Sequence, residues 1–463
     1  MTGTRATVML EGSHGVGRRT LAAIAADEAR RPLLDVDLNR VGRTGAALEG
    51  VLLALRREVA LRPEIILLFA NVDRLVEVDA LDGGRARILS REIDKLDVPV
   101  ILTATTGCEL PLSQTPLRLR VPSPSAETRL ALWRRSAPEI EDQAIEEIAR
   151  RYQIGPGTIA SSAKAAEVLS RARGGANVSV RDLVDGVRAS IAERMGGLAY
   201  RVETGERWDD LVLTQDTLDQ INTLIARVRH ATEVLDRWGM RARLPRGTGV
   251  AALFSGPPGT GKTMVAGLIA RELDLELYQV DLSRVVSKWV GETEKQLASI
   301  FDAAEAGHAL LLFDEADALF AKRTEVKAAV DRYANLEVNY LLQRVEAFGG
   351  VTILTTNMDT SIDPALKRRL AAHVVFWPPD EDERAKLWTK MIPPTAPREG
   401  ELDFDELAAA FPDMAGANIR NAAVAAAFLA AAEGKPITGA HLQRAARLEY
   451  RSMGRVLGKR DGS

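Results

Sequence analysis

The stretch Gly256-Pro257-Pro258-Gly259-Thr260-Gly261-Lys262-Thr263 lies between an apolar run, residues 250–254, and a helix-favouring run that starts at Met264. Its spacing, G-x-x-x-x-G-K-T between a strand and a helix, is typical of a loop that binds phosphates. Glycines let successive backbone N–H groups turn towards the phosphates, and the helix directs its positive dipole end at the same charge. We therefore predict that residues 256–264 bind a nucleotide, with Lys262 on its phosphates and the Thr263 hydroxyl on Mg²⁺.

Polar side chains follow two further apolar runs, at the positions where strands are predicted to end. Residues 309–313 lead to Asp314 and Glu315, and residues 351–354 lead to Thr355, Thr356 and Asn357. The carboxyl ends of parallel strands meet at one edge of a sheet, so these side chains should lie beside the phosphate loop, residues 256–263. We expect Asp314 to hold Mg²⁺ and Glu315 to polarise the attacking water, while Asn357 bonds that water or the γ-phosphate.

The first half of the chain repeats part of the second half at an offset of 244 residues. Residues 12–75 align without a gap on residues 256–319, and 20 of these 64 positions are identical. Chance would give only a few matches, so the chain carries an internal duplication. The two copies can therefore be compared residue by residue.

The differences between the copies fall on the positions that carry the chemistry. Arg18, Arg19, Ala70, Asn71 and Thr105 stand where the second copy has Lys262, Thr263, Asp314, Glu315 and Asn357. Without a hydroxyl or carboxylate for Mg²⁺, and without a base, the first copy is predicted not to hydrolyse nucleotide. Its glycines and its arginines leave nucleotide binding open, because arginine can contact phosphate.

The composition excludes several classes of protein. The 463 residues contain 61 lysines and arginines against 64 aspartates and glutamates, a balance that gives no net field to attract nucleic acid or an anionic membrane. The one cysteine, Cys108, cannot form an internal disulfide, and no Cys/His spacing is typical of a metal site. The N-terminal residues lack the pattern of a signal peptide, and no apolar run approaches the length of a membrane span. We expect a cytoplasmic protein.

Together these motifs resemble those of the AAA+ ATPases, and residues 254–421 are similar to the AAA subgroup that includes protein unfoldases and remodelling motors. The resemblance implies an α/β fold of tandem P-loop modules, each a parallel-sheet domain followed by a small helical lid. The implied boundaries are 1–122 for a degenerate α/β domain, 123–195 for its lid, 196–207 for a linker, 208–379 for the active α/β domain and 380–463 for its lid.

The resemblance also implies roles for individual residues. Lys262 and Thr263 resemble the Walker A pair, Asp314 and Glu315 the Walker B pair, and Asn357 resembles sensor 1. The implied cofactors are ATP and Mg²⁺.

Arg368 and Arg369 resemble the arginine fingers that complete the site of a neighbouring subunit, which implies a self-assembled ring, usually of six. Many family members separate these two arginines by a Pro-Gly turn, but here they are adjacent, so either could be the finger. Arg420 lies in the region that resembles sensor 2. No arginine stands at positions 416–418, so Arg420 is only a weak candidate for that role.

The segment Lys288-Trp289-Val290 is similar to the first pore loop of the family, in which an aromatic side chain from each subunit contacts an extended polypeptide in the central channel. A flat ring can press on any side chain, as the threading of varied protein substrates requires. The alternative is a core tryptophan at the start of a helix, because large aromatic residues are highly buried on average. The first copy has Gly45 at the position of Trp289.

Residues 310–342 most resemble the AAA+ ATPase found with phage-tail-like extracellular contractile injection systems. This narrower resemblance implies that the protein partner is a contractile particle or one of its components. The implied role is assembly or remodelling of that particle.

Two other functions remain open from the sequence. One is an unfoldase subunit that feeds a separate protease. Two observations weigh against it: the chain has no His-Glu-x-x-His metalloprotease motif, and residues 458–463 lack the hydrophobic-aromatic tail that docks such motors on proteasome-like chambers. The other is a nucleic-acid-dependent AAA+ motor or clamp loader. The near-neutral charge and the lack of a basic stripe with interleaved aromatics weigh against the second of these.

Overall fold

A computed structural model describes residues 6–13, 15–42, 44–78, 84–175, 177–231, 233–240, 249–285, 292–317, 340–357 and 370–455. The chain divides into two compact units. The first consists of Met1–Gly196 and Trp289–His308, and the second of Gly197–Lys288 and Ala309–Ser463. Within the described ranges, no helix is long and apolar enough to cross a lipid bilayer.

The first unit is built on a parallel sheet. Its strands are β1 (Thr7–Glu11), β2 (Leu33–Asp37), β3 (Ile66–Ala70), β4 (Val100–Ala104) and β5 (Leu117–Arg120), in the order β2-β3-β4-β1-β5. The central strands β3 and β4 are buried along their full length, as expected for continuous apolar runs in a parallel sheet. Side chains alternate between the two faces, so Met9 and Leu10 of β1 belong to different cores.

Helices cover this sheet and continue beyond it. The helices of the first unit are α1 (Arg18–Glu28), α2 (Gly45–Leu61), α3 (Asp73–Val78), α4 (Gly84–Ile93), α5 (Ala126–Ser136), α6 (Asp142–Arg151), α7 (Pro156–Ala172), α8 (Val180–Arg194) and α12 (Glu292–Ala306). Helix α1 packs in the core that contains Leu10, whereas α2 and α4 pack in the core that contains Met9. A reciprocal capping box between Ser179 and Asp182 fixes the start of α8.

Helix α12 belongs to the first unit, although the sequence on both sides of it belongs to the second. It packs against α8, where the Ser299 hydroxyl donates a 3.0 Å hydrogen bond to the carbonyl of Arg194. Gly307 approaches α8 so closely that an added Cβ would lie 2.6 Å from Cδ1 of Ile191. One helix from the stretch 208–379 is therefore packed with the other unit.

The second unit contains a larger sheet. Its strands are β6 (Ala199–Arg201), β7 (Val250–Ser255), β8 (Glu276–Val280), β9 (Ala309–Phe313), β10 (Val351–Thr356) and β11 (Ala372–Val375), in the order β11-β7-β10-β9-β8-β6. All neighbours are parallel except β6, which pairs antiparallel with β8. The strand β6 lies inside the stretch 196–207 that was expected to be a linker. Three residues are too few to show a strand pattern in the sequence.

Helices flank this sheet and then form a separate cluster. The helices of the second unit are α9 (Gln215–Arg229), α10 (Lys262–Glu272), α11 (Leu282–Val285), α13 (Glu381–Met391), α14 (Phe404–Ala410), α15 (Gly416–Ala432) and α16 (Gly439–Ser452). Residues 340–347 are also helical. Helices α9 and α10 share one core with the sheet, and α13–α16 have a core of their own around Trp388. The predicted class, a parallel-sheet α/β domain followed by a helical C-terminal region, is confirmed.

The two sheets share one strand order and much of their local geometry. The order β2-β3-β4-β1-β5 in the first unit corresponds to β8-β9-β10-β7-β11 in the second. Helices α1 and α10 begin at positions 18 and 262, which are 244 residues apart. The 3.2 Å backbone hydrogen bond from Gly12 to Ala104 has its counterpart in a 3.3 Å bond from Gly256 to Thr356.

The helical region after each sheet repeats as well. Trp133 in α5 and Trp388 in α13 are both fully buried. Arg129 of α5 and Arg384 of α13 each donate a 3.0 Å hydrogen bond to a carbonyl of the following helix. The similarity of the two halves therefore extends beyond the residues that align in sequence.

Candidate functional site

The phosphate loop lies between β7 and α10. Gly261 precedes the helix with φ at 97°, a left-handed conformation that glycine adopts without strain. At Gly256, φ is 144°, and an added Cβ would lie 2.1 Å from the carbonyl oxygen of Phe376. Both positions therefore require glycine. The loop leads into a helix N-terminus, whose free N–H groups and positive dipole end favour an anion.

The Lys262 side chain folds back over the loop. Its ammonium donates hydrogen bonds to the carbonyls of Gly256, at 2.7 Å, and Pro257, at 2.9 Å, and to Oδ1 of Asn357, at 2.9 Å. Burial lowers the pKa of Lys262, although the carboxylates that follow β9 oppose this shift. The ammonium is thus held at the centre of the loop, where phosphate oxygens can compete for it.

Asp314 follows β9 directly and connects three neighbouring elements. It accepts hydrogen bonds from the Thr263 hydroxyl of α10, at 3.2 Å, from the Gln279 amide of β8, at 3.3 Å, and from the Thr355 hydroxyl of β10. A hydroxyl and a carboxylate therefore lie side by side. Oxygen ligands of this kind suit Mg²⁺, which keeps several waters and is bound through few protein groups.

Glu315 has a left-handed backbone, with φ at 51°. For a residue with a side chain this conformation costs roughly 1–3 kcal/mol, so it needs support from the surrounding structure. The support comes from Thr355, whose hydroxyl accepts a 3.0 Å hydrogen bond from the Glu315 backbone N–H and whose carbonyl accepts a 2.9 Å bond from the backbone N–H of Ala316. Glu315 lines the same cavity as Lys262 and Thr263.

Asp317 fixes the end of β10. It accepts hydrogen bonds from the Thr356 hydroxyl and from the backbone N–H of Asn357, at 3.1 Å. The amide oxygen of Asn357 is in turn held by the Lys262 ammonium. The polar groups that follow β9 and β10 thus form one connected network with the phosphate loop.

These groups line a cavity of about 460 Å³ within the second unit, a volume in the range of small-molecule sites. The polar part of its wall comes from the phosphate loop and from the ends of β9 and β10. The apolar part comes from the segment before α9 and from α13, with Leu211, Leu213, Leu387 and Met391. The start of α15 closes against the loop, where the Ala417 backbone N–H donates a 3.2 Å hydrogen bond to the carbonyl of Gly259.

The structure brings most of the residues singled out from the sequence to this cavity. Its wall includes Pro258, Gly259, Thr260, Gly261, Lys262, Thr263, Met264, Asp314, Glu315, Asn357 and Arg420. Gly256 and Pro257 contribute the carbonyls that bond Lys262. The remaining candidates, Lys288, Trp289, Val290, Arg368 and Arg369, lie outside the described residues.

Sequence reasoning missed Gln279 and Asp317. Gln279 lies within β8, and no local pattern indicates that its amide reaches Asp314. Asp317 follows Glu315 by two residues, and this third acid after an apolar strand is a signal that could have been used. The apolar wall from the segment before α9 was also missed, because that segment becomes part of the cavity only in the folded chain.

In the first unit, the residues at the positions of Lys262, Thr263 and Glu315 form hydrogen bonds within that unit. Arg19 donates hydrogen bonds to Asp35, at 3.1 Å, and to Asp37, at 3.0 Å, and the Asn71 amide donates to Asp37 at 3.1 Å. Arg18 is buried and donates to a carbonyl at the end of β4. Burial lowers the pKa of Arg18. The chain's own side chains therefore fill the positions that carry the polar network of the second unit.

The groups of the second unit fit ATP and Mg²⁺. A glycine loop and one ammonium are suited to phosphates, a hydroxyl beside a carboxylate is suited to Mg²⁺, and an apolar wall is suited to a base. In the first unit, Ala70 replaces the carboxylate and Arg19 replaces the hydroxyl. Mg²⁺ lacks the corresponding ligands there.

Residues 252–377 match the family model described as "ATPase family associated with various cellular activities (AAA)". With the parallel α/β fold and the loop geometry, this match identifies the segment as an AAA ATPase domain.

Several curated proteins are similar to this chain. The cell division cycle protein 48 homolog of Archaeoglobus fulgidus is 32% identical over 191 residues, which cover 40% of this chain and 25% of that protein. Protein SAV of Sulfolobus acidocaldarius is 30% identical over 230 residues, 48% of this chain and 28% of that protein. The ATP-dependent zinc metalloprotease FtsH 3 of Sphaerobacter thermophilus is 34% identical over 214 residues, 44% of this chain and 42% of that protein. The chain thus spans about a quarter of the length of the first two relatives.

The lowered pKa of Lys262 predicts a pH dependence of nucleotide binding. The charged ammonium is present below this pKa and is lost as the pH rises through it, so nucleotide affinity should fall at a lower pH than for an ordinary lysine, whose pKa is about 10.4. Titration of the protein with a fluorescent ATP analogue at a series of alkaline pH values measures this. In Lys262→Arg the cation keeps its charge, and the alkaline loss of affinity should disappear. A wild-type affinity that follows the same pH course as Lys262→Arg would contradict the prediction.

Proposed function

We propose that the chain is an ATP-driven motor that forms a ring and remodels, assembles or threads protein substrates, with hydrolysis at the site of the second unit. The observation that carries the proposal is the arrangement of Lys262, Thr263, Asp314 and Glu315 around one cavity. These side chains combine a phosphate ligand, metal ligands and a group that activates water.

Bound ATP and Mg²⁺ supply a phosphoanhydride that water can cleave and a cation that neutralises phosphate charge. Lys262 can exchange its bonds to the Gly256 and Pro257 carbonyls for bonds to phosphate oxygens. Thr263 and Asp314 hold the cation or its water shell from α10 and from the end of β9. The backbone N–H groups of the loop orient the phosphates.

Glu315 takes the proton of the attacking water at a carboxylate oxygen. Its position is fixed by the left-handed backbone and by the bond from its N–H to Thr355. Asn357, whose backbone is held by Asp317, orients the same water or the terminal phosphate with its amide.

We assign hydrolysis to the second unit alone. In the first unit, the ion pairs of Arg19 with Asp35 and Asp37 replace the contact between Thr263 and Asp314. Asn71 takes the position of Glu315, and a neutral amide cannot accept a proton from water as a carboxylate does. The first unit is then a degenerate module of the same kind, with a structural role.

The ring and the protein substrate rest on the resemblance of the sequence to the AAA+ motors. The segment that resembles the family's pore loop gives Trp289 the role of contacting an extended polypeptide. Arg368 or Arg369 would complete the site of the adjacent subunit in a ring of six, so that hydrolysis depends on assembly. The resemblance of residues 310–342 extends the proposal to a component of a contractile injection particle as the substrate.

A second candidate function is an unfoldase subunit that delivers protein to a separate protease. It is favoured by the similarity to FtsH 3, which is described as an ATP-dependent zinc metalloprotease. None of the five histidines of this chain begins a His-Glu-x-x-His motif, so in this case the peptidase lies outside these 463 residues.

The change Glu315→Gln tests the assignment of the base. It removes the proton acceptor and keeps the size of the side chain, so ATP hydrolysis should fall roughly 10²- to 10⁴-fold while nucleotide affinity stays within about twofold. Phosphate release and binding of a fluorescent ATP analogue measure the two quantities. The control is Glu203→Gln, which changes another glutamate of the cavity wall and should alter neither. Turnover of Glu315→Gln at the wild-type rate would remove Glu315 from the mechanism.

Equivalent positions of the two units test the restriction of hydrolysis to the second. Thr263→Ala removes the hydroxyl beside Asp314 and should lower Mg²⁺-dependent turnover by roughly 10²-fold or more. Arg19→Ala changes the matching position of the first unit, is half-exposed, and should leave turnover within about twofold. Steady-state ATP hydrolysis at several Mg²⁺ concentrations measures both. An equal loss in the two variants would assign hydrolysis to both units.

The role of Trp289 is tested by Trp289→Ala. We expect basal ATP hydrolysis to be unchanged and its stimulation by a permanently unfolded model protein to be lost, because only the contact with the polypeptide is removed. The control is Trp238→Ala, which changes a tryptophan that is 67% exposed. A Trp289→Ala protein with lowered thermal stability would instead support the reading of Trp289 as a core residue.

A further inference from the structure

The first unit exposes a set of leucines on one side of its sheet. Leu117 and Leu119 on the edge strand β5 are 60% and 45% exposed, and Leu21 on the adjacent helix α1 is 42% exposed. Leu117 and Leu119 pair with Val8 and Leu10 of β1, so all four side chains lie on the face that α1 covers. We name the surface formed by Leu21, Leu117 and Leu119 the β5 face.

The matching positions of the second unit are buried. Leu21 corresponds to Val265 at the offset of 244, and Val265 is fully buried. Leu119 pairs with Leu10 as Val374 pairs with Phe254, and Val374 is fully buried as well. The face of the sheet beside the edge strand is therefore covered in the second unit and exposed to solvent in the first.

Helix α9 covers this location in the second unit. Its residues Ile221, Leu224 and Ile225 belong to the same core as Val265 and Val374. Polar contacts fix the helix at both ends. The Thr217 hydroxyl donates a 3.2 Å hydrogen bond to the carbonyl of Val375, and Arg229 bonds the carboxylate of Glu272 at 2.7 Å. In the second unit, the face of the sheet that contains Val374 is thus covered by an amphipathic helix with a basic residue in its last turn.

The first unit keeps the complementary features without the helix. Among the described residues, the core on this side contains side chains of the strands, of α1 and of Val121 only. Glu28 stands at the position of Glu272 and is exposed at the end of α1. Arg120 on β5 stands at the position of Val375, because it pairs with Glu11 as Val375 pairs with Ser255. Apolar surface, an edge strand and a carboxylate occur in the same arrangement as in the second unit.

We propose that the β5 face binds an amphipathic helix of a partner protein. The apolar residues of this helix have the spacing of Ile221, Leu224 and Ile225 in α9, and a basic residue in its last turn meets Glu28. Burial of the exposed leucines stabilises the complex, and the carboxylate sets the direction of the helix.

A second copy of this chain does not supply the helix. Its α9 is part of its own core, with Ile221 and Leu224 fully buried. To release α9, the copy would have to expose Val374, Phe254 and the other apolar residues of the second-unit core. A helix from a different protein has no such cost.

The experiment uses the full-length chain and a fluorescein-labelled synthetic peptide with the sequence of residues 214–230, which contains α9. Fluorescence anisotropy should give a dissociation constant on the order of 10 μM. The double variant Leu117→Asp/Leu119→Asp should weaken binding at least about tenfold, since both side chains would contact the peptide. The matched control Leu53→Asp changes a leucine that is 52% exposed on α2, which packs on the opposite face, and should leave the affinity unchanged.

Further measurements decide between the outcomes. A peptide with Ile221→Asp/Leu224→Asp should not bind, and a photo-crosslinking group at its position 224 should label β5. Equal binding to the wild type and to Leu117→Asp/Leu119→Asp, or labelling in the second unit, would overturn the proposal, because the peptide would then replace α9. Absence of peptide binding would overturn it too. So would self-association in sedimentation velocity that disappears in the double variant, because the face would then join two copies of this chain.

Discussion

The hydroxyl of Thr355 holds the acidic pair in place, and the site of the second unit depends on it. This hydroxyl accepts the backbone N–H of Glu315 and donates to the carboxylate of Asp314, so it connects the ends of β9 and β10. The parallel register makes the contact possible, because both strands end at the same edge of the sheet. A 2.9 Å bond from the Ala316 backbone N–H to the Thr355 carbonyl holds the same turn, and the Thr355 hydroxyl adds the one contact that bears on both Glu315 and Asp314.

The same constraint occurs in the first unit with different side chains. The hydroxyl of Thr103 accepts the backbone N–H of Asn71 at 3.0 Å, and Asn71 is also left-handed, with φ at 62°. Asparagine adopts this conformation more readily than most residues. The backbone that presents a carboxylate in one unit is thus maintained in the other without the carboxylate. Fold and chemistry are separable here, since the fold rests on backbone contacts and the chemistry on a few side chains.

The part of the site that could be predicted from sequence is the part encoded by local spacing. The phosphate loop is recognised by the spacing of its glycines within eight residues. Asp314 and Asn357 directly follow apolar strands, and parallel pairing of these strands places both side chains at one edge of the sheet. Gln279 could not be predicted, because its contact with Asp314 depends on the lateral order of β8 and β9. The packing of α12 could not be predicted for a similar reason. Even where helical periodicity is recognised, it does not show which core receives the helix.

Because α12 belongs to the first unit but lies within the sequence of the second, three stretches of backbone connect the two units. The chain passes from one unit to the other after Gly196, again after Lys288 and again after His308. No single cut of the backbone can therefore separate them as intact bodies. A fragment that ends at Gly196 lacks α12 and leaves uncovered the part of α8 that contains Ile191, while a fragment that begins at Gly197 carries a helix without its packing partner. The first unit therefore contains a helix that the sequence places between two segments of the second unit, and a truncation that removes either segment also changes the packing of the other unit.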